Sequence, residues 1–209
     1  MTGYKKAFGA IAVVLLILIA DQVIKIWVKT HFALAEDFRI TNWFHIRFIE
    51  NPGMAMGIEI IKKSFLTVFR IALSIAIVYY IYSLIRNNFK LSYILLVSMI
   101  FAGAIGNIVD SVFYGVIFSE STPVNVAVLF PPEGGYGSWL HGKVVDMFYF
   151  PLFTFTWPSW MPWIGGTEFE FFRYIFNLAD ASISVGMVVL ILFFRKTLSL
   201  SFEKQKIES

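Results

Sequence analysis

The 209-residue chain is 58% hydrophobic and only 15% charged, against about 45–50% and about 25% in soluble domains, so it reads as an integral membrane protein. The net charge of +3 is small, and the basic residues form no face interleaved with aromatics, which argues against a nucleic-acid partner. The absence of Cys excludes disulfides, thiol catalysis and Cys-held metals.

Four apolar segments reach the roughly 20 residues that a spanning helix needs. The first covers residues 7–28 behind Lys5 and Lys6, and no small-x-small site follows it, so it reads as a retained span rather than a cleaved signal. Residues 29–63 form a long connection. Within it, Phe38-Arg39-Ile40-Thr41 and Phe44-His45-Ile46-Arg47-Phe48 alternate apolar and polar about a Thr41-Asn42 turn, the pattern of a half-buried hairpin. The turn-forming stretch from Asn51 through Pro52 and Gly53 then brings Asn51 toward any site nearby.

Spans two and three, residues 64–84 and 91–113, are separated by six residues and predict a tight antiparallel pair. Residues 114–173 make the second long connection. Its first part, 116–141, is turn-rich, and its later part, 148–163, is dense in Phe, Tyr, Trp and Pro, the composition of a membrane interface. Residues 174–194 form the fourth span. The expected architecture is an all-α membrane protein, residues 1–209 forming one domain of four transmembrane helices with a small extracytoplasmic β-cradle and an interfacial loop.

Lys5, Lys6, Arg86, Lys90, Arg195, Lys196, Lys204 and Lys206 all fall on one side of a four-span bundle. That side is then cytoplasmic, with both termini inside and the two long connections outside.

Four carboxylates stand out on this frame. Asp21, Asp110 and Asp180 lie within or beside apolar spans, and Asp146 lies in a short apolar run of the second connection. An ionisable group at membrane depth is unfavourable by several kcal/mol and marks a functional site by default. All four are expected in one layer, at the outer boundary of the bilayer. Asp21 and Lys25, one helical turn apart, can neutralise one another as a buried pair. Asn107-Ile108-Val109-Asp110 and Asn177-Leu178-Ala179-Asp180 place an Asn and an Asp at i and i+3, where the Asn can orient the neighbouring carboxylate. Asp180 is expected about two turns inside the fourth span.

Asp146 and Asp180 admit two readings. Brought together, they would share one proton, so that one activates water while the other acts as acid. Kept apart, Asp180 stabilises a helix and Asp146 is an exposed loop residue. His31, His45 and His141 are not at ligand spacing, so neither a metal nor a cofactor is expected. A proton- or cation-transporter subunit is the alternative function, but the inner halves of the spans carry no charge. A non-catalytic assembly or lipid-binding subunit would not require both acids.

Taken together, these blocks resemble the signal peptidase II (lipoprotein signal peptidase) family. Asp21-Gln22-Val23-Ile24-Lys25 resembles its Asp-x-x-x-Lys, and the stretch from Asn51 and Gly53 to Gly57 its Asn-x-Gly turn. The stretch from Gly103 to Asp110 resembles its Gly-Ala-x-Gly-Asn-x-x-Asp, Val144-Val145-Asp146 its Val-Val-Asp, and Asn177-Leu178-Ala179-Asp180 its Asn-x-Ala-Asp. The resemblance implies an aspartic endopeptidase with Asp146 and Asp180 catalytic, and with Asn51, Gly53, Asn107, Asp110, Asn177, Ala179, Asp21 and Lys25 supporting the site or binding substrate and inhibitor. It implies a diacylglyceryl-modified prolipoprotein substrate cut before the lipidated Cys. It also implies globomycin-type inhibitors, membrane lipids as surroundings, and a bacterial inner-membrane location with the site facing outward. Three departures accompany it. Ser111 stands where the family has Arg, residues 116–141 intervene between blocks that the family joins directly, and Met54 and Met56 replace Ala and Phe. The intervening stretch is expected to act as a lid that tolerates shortening.

Overall fold

A computed structural model describes residues 2–52 and 60–208. Gly53, Met54 and Met56 lie outside the described residues. In chain order the elements are α1 (Gly3–His31), β1 (Asp37–Arg39), β2 (His45–Asn51), α2 (Ile60–Arg86), α3 (Leu91–Val109), a π-helical turn (Asp110–Tyr114), α4 (Gly115–Ile117), β3 (Val144–Tyr149), β4 (Phe153–Thr156), β5 (Glu168–Phe171), α5 (Leu178–Phe193) and α6 (Arg195–Glu208).

Three of these helical stretches, Gly3–His31, Lys63–Arg86 and Leu91–Ile117, are long and apolar enough to cross a membrane. The fourth expected span is shorter than the sequence suggested. Its helix begins at Leu178 rather than at residue 174, and α6 turns away from α5 by 88°. The delay has two local causes. Phe176 is captured by strand-type pairing with Phe148, and Asn177 takes the N-cap position, its side chain accepting the backbone N–H of Asp180. Asp180 therefore sits in the first turn of α5, not two turns inside it. With 16 residues, α5 is about 24 Å long.

The helix packing follows from small residues on α3. A Cβ at Gly103 would lie 2.3 Å from the Ala179 carbonyl oxygen, and one at Gly106 would lie 2.7 Å from an Asp21 carboxylate oxygen. Glycine is required at both places for α3 to seat between α1 and α5, the close approach that packs helices in lipid. At the far end of the bundle Lys6 donates to Asn88 Oδ1 and the Phe89 carbonyl, 2.6 Å each, tying α1 to the α2–α3 turn.

The expected hairpin is present, with Phe38 paired to Ile46 and Arg39 to His45. It extends further than the alternation showed, because β3 adds to β2 as a third antiparallel strand: Asn51 pairs with Val144, Glu50 with Val145 and Ile49 with Asp146. Asp146 is thus a buried strand residue, 4% exposed, and not a solvated loop residue. The cradle rests on a core of Val28, Phe32, Phe48, Tyr114, Phe118, Ala127, Val145 and Met147.

That core includes part of residues 116–141. The excursion leaves and returns at one point, since Gly137 N–H bonds the Gly115 carbonyl and Gly142 N–H bonds the Ser111 carbonyl. Most of it is exposed, yet Phe118, Ser121 and Ala127 are buried. These three residues attach the excursion to the cradle, which a loop lying free over the site would not need.

The aromatic connection after β3 also has more order than its composition suggested. It folds into a separate two-stranded ribbon, β4–β5.

Candidate active site

The site is assembled from β2, β3, the C-terminal half of α1, the end of α3 with the π-helical turn that follows it, and the first turn of α5. Asp146 receives two amide hydrogen bonds. Asn177 Nδ2 donates to Oδ1 at 2.7 Å, and Asn51 Nδ2 to Oδ2 at 3.3 Å. Asn177 Nδ2 also lies 3.1 Å from Asn107 Oδ1, and Asn107 Nδ2 donates to Asp180 Oδ1 at 2.7 Å. The two aspartates are therefore linked through a pair of asparagines.

The orientation of each amide is forced by a partner that can only donate. Lys25 Nζ lies 2.9 Å from Asn107 Oδ1, so the oxygen of Asn107 must face the ammonium and its NH₂ must face Asp180. The backbone N–H of Asp180 donates to Asn177 Oδ1 at 2.8 Å, so the NH₂ of Asn177 must face Asp146. This crossing corrects the sequence expectation. Neither Asn orients the carboxylate three residues along its own motif; each serves an acid from another segment.

Lys25 corrects a second expectation, because it is not the partner of Asp21 alone. Its ammonium lies 2.9 Å from Asp21 and 2.8 Å from Asp110, with all three groups at most 1% exposed. One cation between two buried carboxylates leaves an excess negative charge, and neutral donors spread it. Gln22 Nε2 donates to Asp110 Oδ1 at 2.9 Å, the Val145 N–H to Asp110 Oδ2 at 3.2 Å, and the Ala179 N–H to Asp21 Oδ1 at 2.9 Å. Asp110 thus holds β3 beside Asp146, while Asp21 holds the first turn of α5 beside Asp180. The hydroxyl of Ser111, where the resembling motif has Arg, donates back to the Asn107 carbonyl, and Lys25 is a positive partner of Asp110.

The two acids have different surroundings. Burial, and then the nearby Asp180 carboxylate, push Asp146 up to about 7, against the opposing pull of the Asn51 and Asn177 donors. Asp180 instead borders a cleft of about 240 Å³, lined also by Arg70, Ser74, Ala104 and Asn107. A buried carboxyl that can keep a proton near neutrality, beside a second carboxyl open to a cleft, is suited to general acid–base work.

With this geometry in place, likenesses to known proteins decide the family. The family model for signal peptidase (SPase) II matches residues 13–196. The chain belongs to the signal peptidase II family. It is 49% identical over 196 residues to the lipoprotein signal peptidase of Porphyromonas gingivalis, a match covering 93% of this chain and 86% of that one. It is 34% identical over 195 residues to the lipoprotein signal peptidase of Amoebophilus asiaticus, covering 90% and 78%. A solved bacterial membrane enzyme superposes with a TM-score of 0.60 at 25% identity, covering 88% of this chain and 90% of the other. The protein is therefore a protease of the signal peptidase II type in a bacterial membrane, and the transporter alternative falls away.

Of the residues singled out from sequence, Asp21, Lys25, Asn51, Asn107, Asp110, Asp146, Asn177, Ala179 and Asp180 converge here, and Gly53 lies outside the described residues. Sequence reasoning passed over Gln22, which also accepts from the Tyr114 hydroxyl at 3.1 Å. Its position beside Asp21, in an otherwise apolar helix, was the available signal. It also passed over a buried ionic cluster behind Asn51. There Glu50 pairs with Lys29 and, at 3.0 Å, with Lys143, while Ser121 donates to Glu50 at 2.9 Å. Burial alone would raise Glu50, but the two lysines hold it below the ordinary range. This cluster fixes the end of β2, and with it Asn51.

Proposed function

We propose that Asp146 and Asp180 form the catalytic dyad of an aspartic endopeptidase that removes signal peptides from diacylglyceryl-modified prolipoproteins, cutting before the lipidated Cys. The single observation that carries this reading is the Asp146–Asn177–Asn107–Asp180 hydrogen-bond chain. It holds two acids from distant segments in one place, one of them buried and tuned toward neutrality. The names of the relatives supply the substrate class.

In the resting dyad Asp146 holds the proton. Asp180 is the base: it accepts a proton from water as that water attacks the scissile carbonyl, and Asp146 gives its proton to the carbonyl oxygen. Collapse of the tetrahedral intermediate then returns a proton to the leaving amine, and the dyad again holds one. Asn51 and Asn177, which favour the charged form of Asp146, keep its pKa low enough for it to release the proton. Sitting at the ends of the spans joined to the cradle, the dyad meets a substrate anchored by its own lipid. The cradle end faces outward, with both termini in the cytoplasm.

The reading is tested with purified protein in bilayer discs and a synthetic prolipoprotein peptide, with and without its diacylglyceryl group. Cleavage before the Cys of the lipidated peptide, unchanged by chelator and lost in Asp146→Asn and in Asp180→Asn, is expected. Equal turnover in either variant would overturn the dyad, and equal cleavage of the unlipidated peptide would overturn the substrate assignment.

A further inference from the structure

The β4–β5 ribbon has two chemically opposite faces. Its register pairs Phe153 with Phe171 and Phe155 with Phe169, and Thr154 with Glu170 and Thr156 with Glu168. Because side chains alternate along a strand, one face is four phenylalanines and the other is two threonines and two glutamates. The rings of Phe153 and Phe171 stack with centroids 4.8 Å apart and planes 5° from parallel, and Phe155 and Phe169 lie 5.1 Å apart. The four rings remain 53%, 38%, 39% and 41% exposed in chain order. A lone two-stranded hairpin is marginally stable in water, so this one needs an apolar surface on which to rest.

The occupant of that surface follows from where the ribbon is tied. The Tyr149 hydroxyl at the end of β3 donates to Glu170, so the polar face is the one joined to the cradle and the phenylalanine face turns away from it. The ribbon is spliced between β3 and the first turn of α5, and it ends six residues before α5 begins. This holds it beside the start of α5, an apolar helix that reaches spanning length only together with α6. Its connecting turn bears Trp160 and Trp163, the latter 99% exposed, and tryptophan is the side chain enriched at the headgroup level. An uncharged aromatic face at the edge of membrane spans matches a lipid surface better than a soluble partner.

We propose that the β4–β5 ribbon is a membrane-surface anchor, its phenylalanine face entering the headgroup–acyl boundary of the leaflet at the cradle end. Interfacial elements of this kind sink their apolar face roughly 5–10 Å below the surface. The ribbon is flanked by Asp146 on β3 and Asp180 on α5, so anchoring it sets the depth of both. The inference rests on the ribbon's own faces, and its test reads lipid contact rather than cleavage.

Because the chain lacks Cys, Phe153→Cys, Phe169→Cys and Thr154→Cys each create a single labelling position. The full-length variants carry a polarity-sensitive fluorophore and are reconstituted in phosphatidylethanolamine–phosphatidylglycerol vesicles containing shallow nitroxide lipids. Emission from 153 and 169 should be blue-shifted and quenched several-fold more than emission from 154. Water-like emission from all three, equal quenching on both faces, or shielding of 153 only after a lipidated peptide is added would overturn the proposal; the last result would make the face a substrate-docking surface. Hydroxyl-radical footprinting of the unsubstituted chain in the same vesicles guards against a misfolded variant. The four phenylalanines should be oxidised several-fold less than their exposed area dictates, and oxidation in proportion to that area would count against the anchor.

Discussion

Asn107 gives its amide hydrogens to Asp180, 73 residues away, and not to Asp110, three residues along its own motif. Lys25 imposes that choice by occupying the amide oxygen. The buried ionic centre therefore orients the proposed catalytic centre as well as helping to hold the helices together.

The dyad gives the most direct prediction. Asp146→Asn and Asp180→Asn should each lower cleavage by at least about a hundred-fold, within the range of a lost general acid or base, and the double variant should be little worse than either single one. Cleavage assays with matched circular dichroism spectra check this. Independent, multiplicative losses would show that the two acids do not act as a unit.

The position of Asp146 near 7 sets a pH dependence. Activity should fall as pH rises through about 7, where the dyad loses its shared proton. Asn51→Ala removes a hydrogen bond that favours the carboxylate, so it should move that descending limb to higher pH. Stability follows the same proton. Between the unfolded value of about 4 and about 7, the native state binds a proton that the unfolded chain lacks. This contribution is therefore complete below about pH 4 and lost as pH rises through about 7. Melting temperature against pH, for the parent and for Asp146→Asn, checks it: the variant should lack the decline across this window.

Lys25→Met should be more damaging than Asp21→Asn, because it strands both Asp21 and Asp110 without a cation. Breaking a buried ion pair by removing one partner costs roughly 3–5 kcal/mol. Neutralising Asp21 and Lys25 together still leaves Asp110 buried, so recovery should require Asp110→Asn as well. Thermal melts of the single, double and triple variants separate these cases. Full recovery in the double variant would mean that Asp110 does not depend on Lys25.

Gly103→Ala should be poorly tolerated, because the new methyl would meet the Ala179 carbonyl oxygen at 2.3 Å. Overpacking of this kind typically costs about 1–3 kcal/mol. Here it would also push the first turn of α5 away from α3, so the rate should fall by more than stability explains. An assay held well below the melting temperature reads that excess.

Residues 116–141 should divide into two parts. Replacing the exposed stretch 123–126 with a shorter turn should leave melting and cleavage close to the parent. Excising the whole excursion should lower the melting temperature sharply, because Phe118 leaves the cradle core and Ser121 leaves Glu50. A full deletion that melts like the parent would show that the excursion is a lid after all.

Much of the fold was legible because apolar length and the alternation through 38–48 are local signals, and the acids at membrane depth stood out against apolar surroundings. What was illegible depended on long-range partners. The third cradle strand needs β2 beside it before Asp146 becomes buried. The start of α5 depends on Phe176 pairing with Phe148. The sharing of Lys25 between Asp21 and Asp110 spans 85 residues of sequence and leaves no periodic trace. The ribbon was hidden by its own composition, since phenylalanine crowding obscured the alternation in Phe-Thr-Phe-Thr and Glu-Phe-Glu-Phe.

The crossed asparagine bridges also impose an order on biosynthesis. Asp21, Lys25 and Asp110 can satisfy one another as soon as α1 and α3 have entered the bilayer. Asp146 must wait for the amide of Asn177, and Asp180 emerges from the ribosome only after that. On the proposed mechanism, a nascent chain halted before α5 lacks Asp180 and should be proteolytically silent, however well its earlier spans have inserted. On that mechanism, docking of α5 would be the event that switches the protease on, and a newly made molecule would not cut its neighbours until its own assembly is finished.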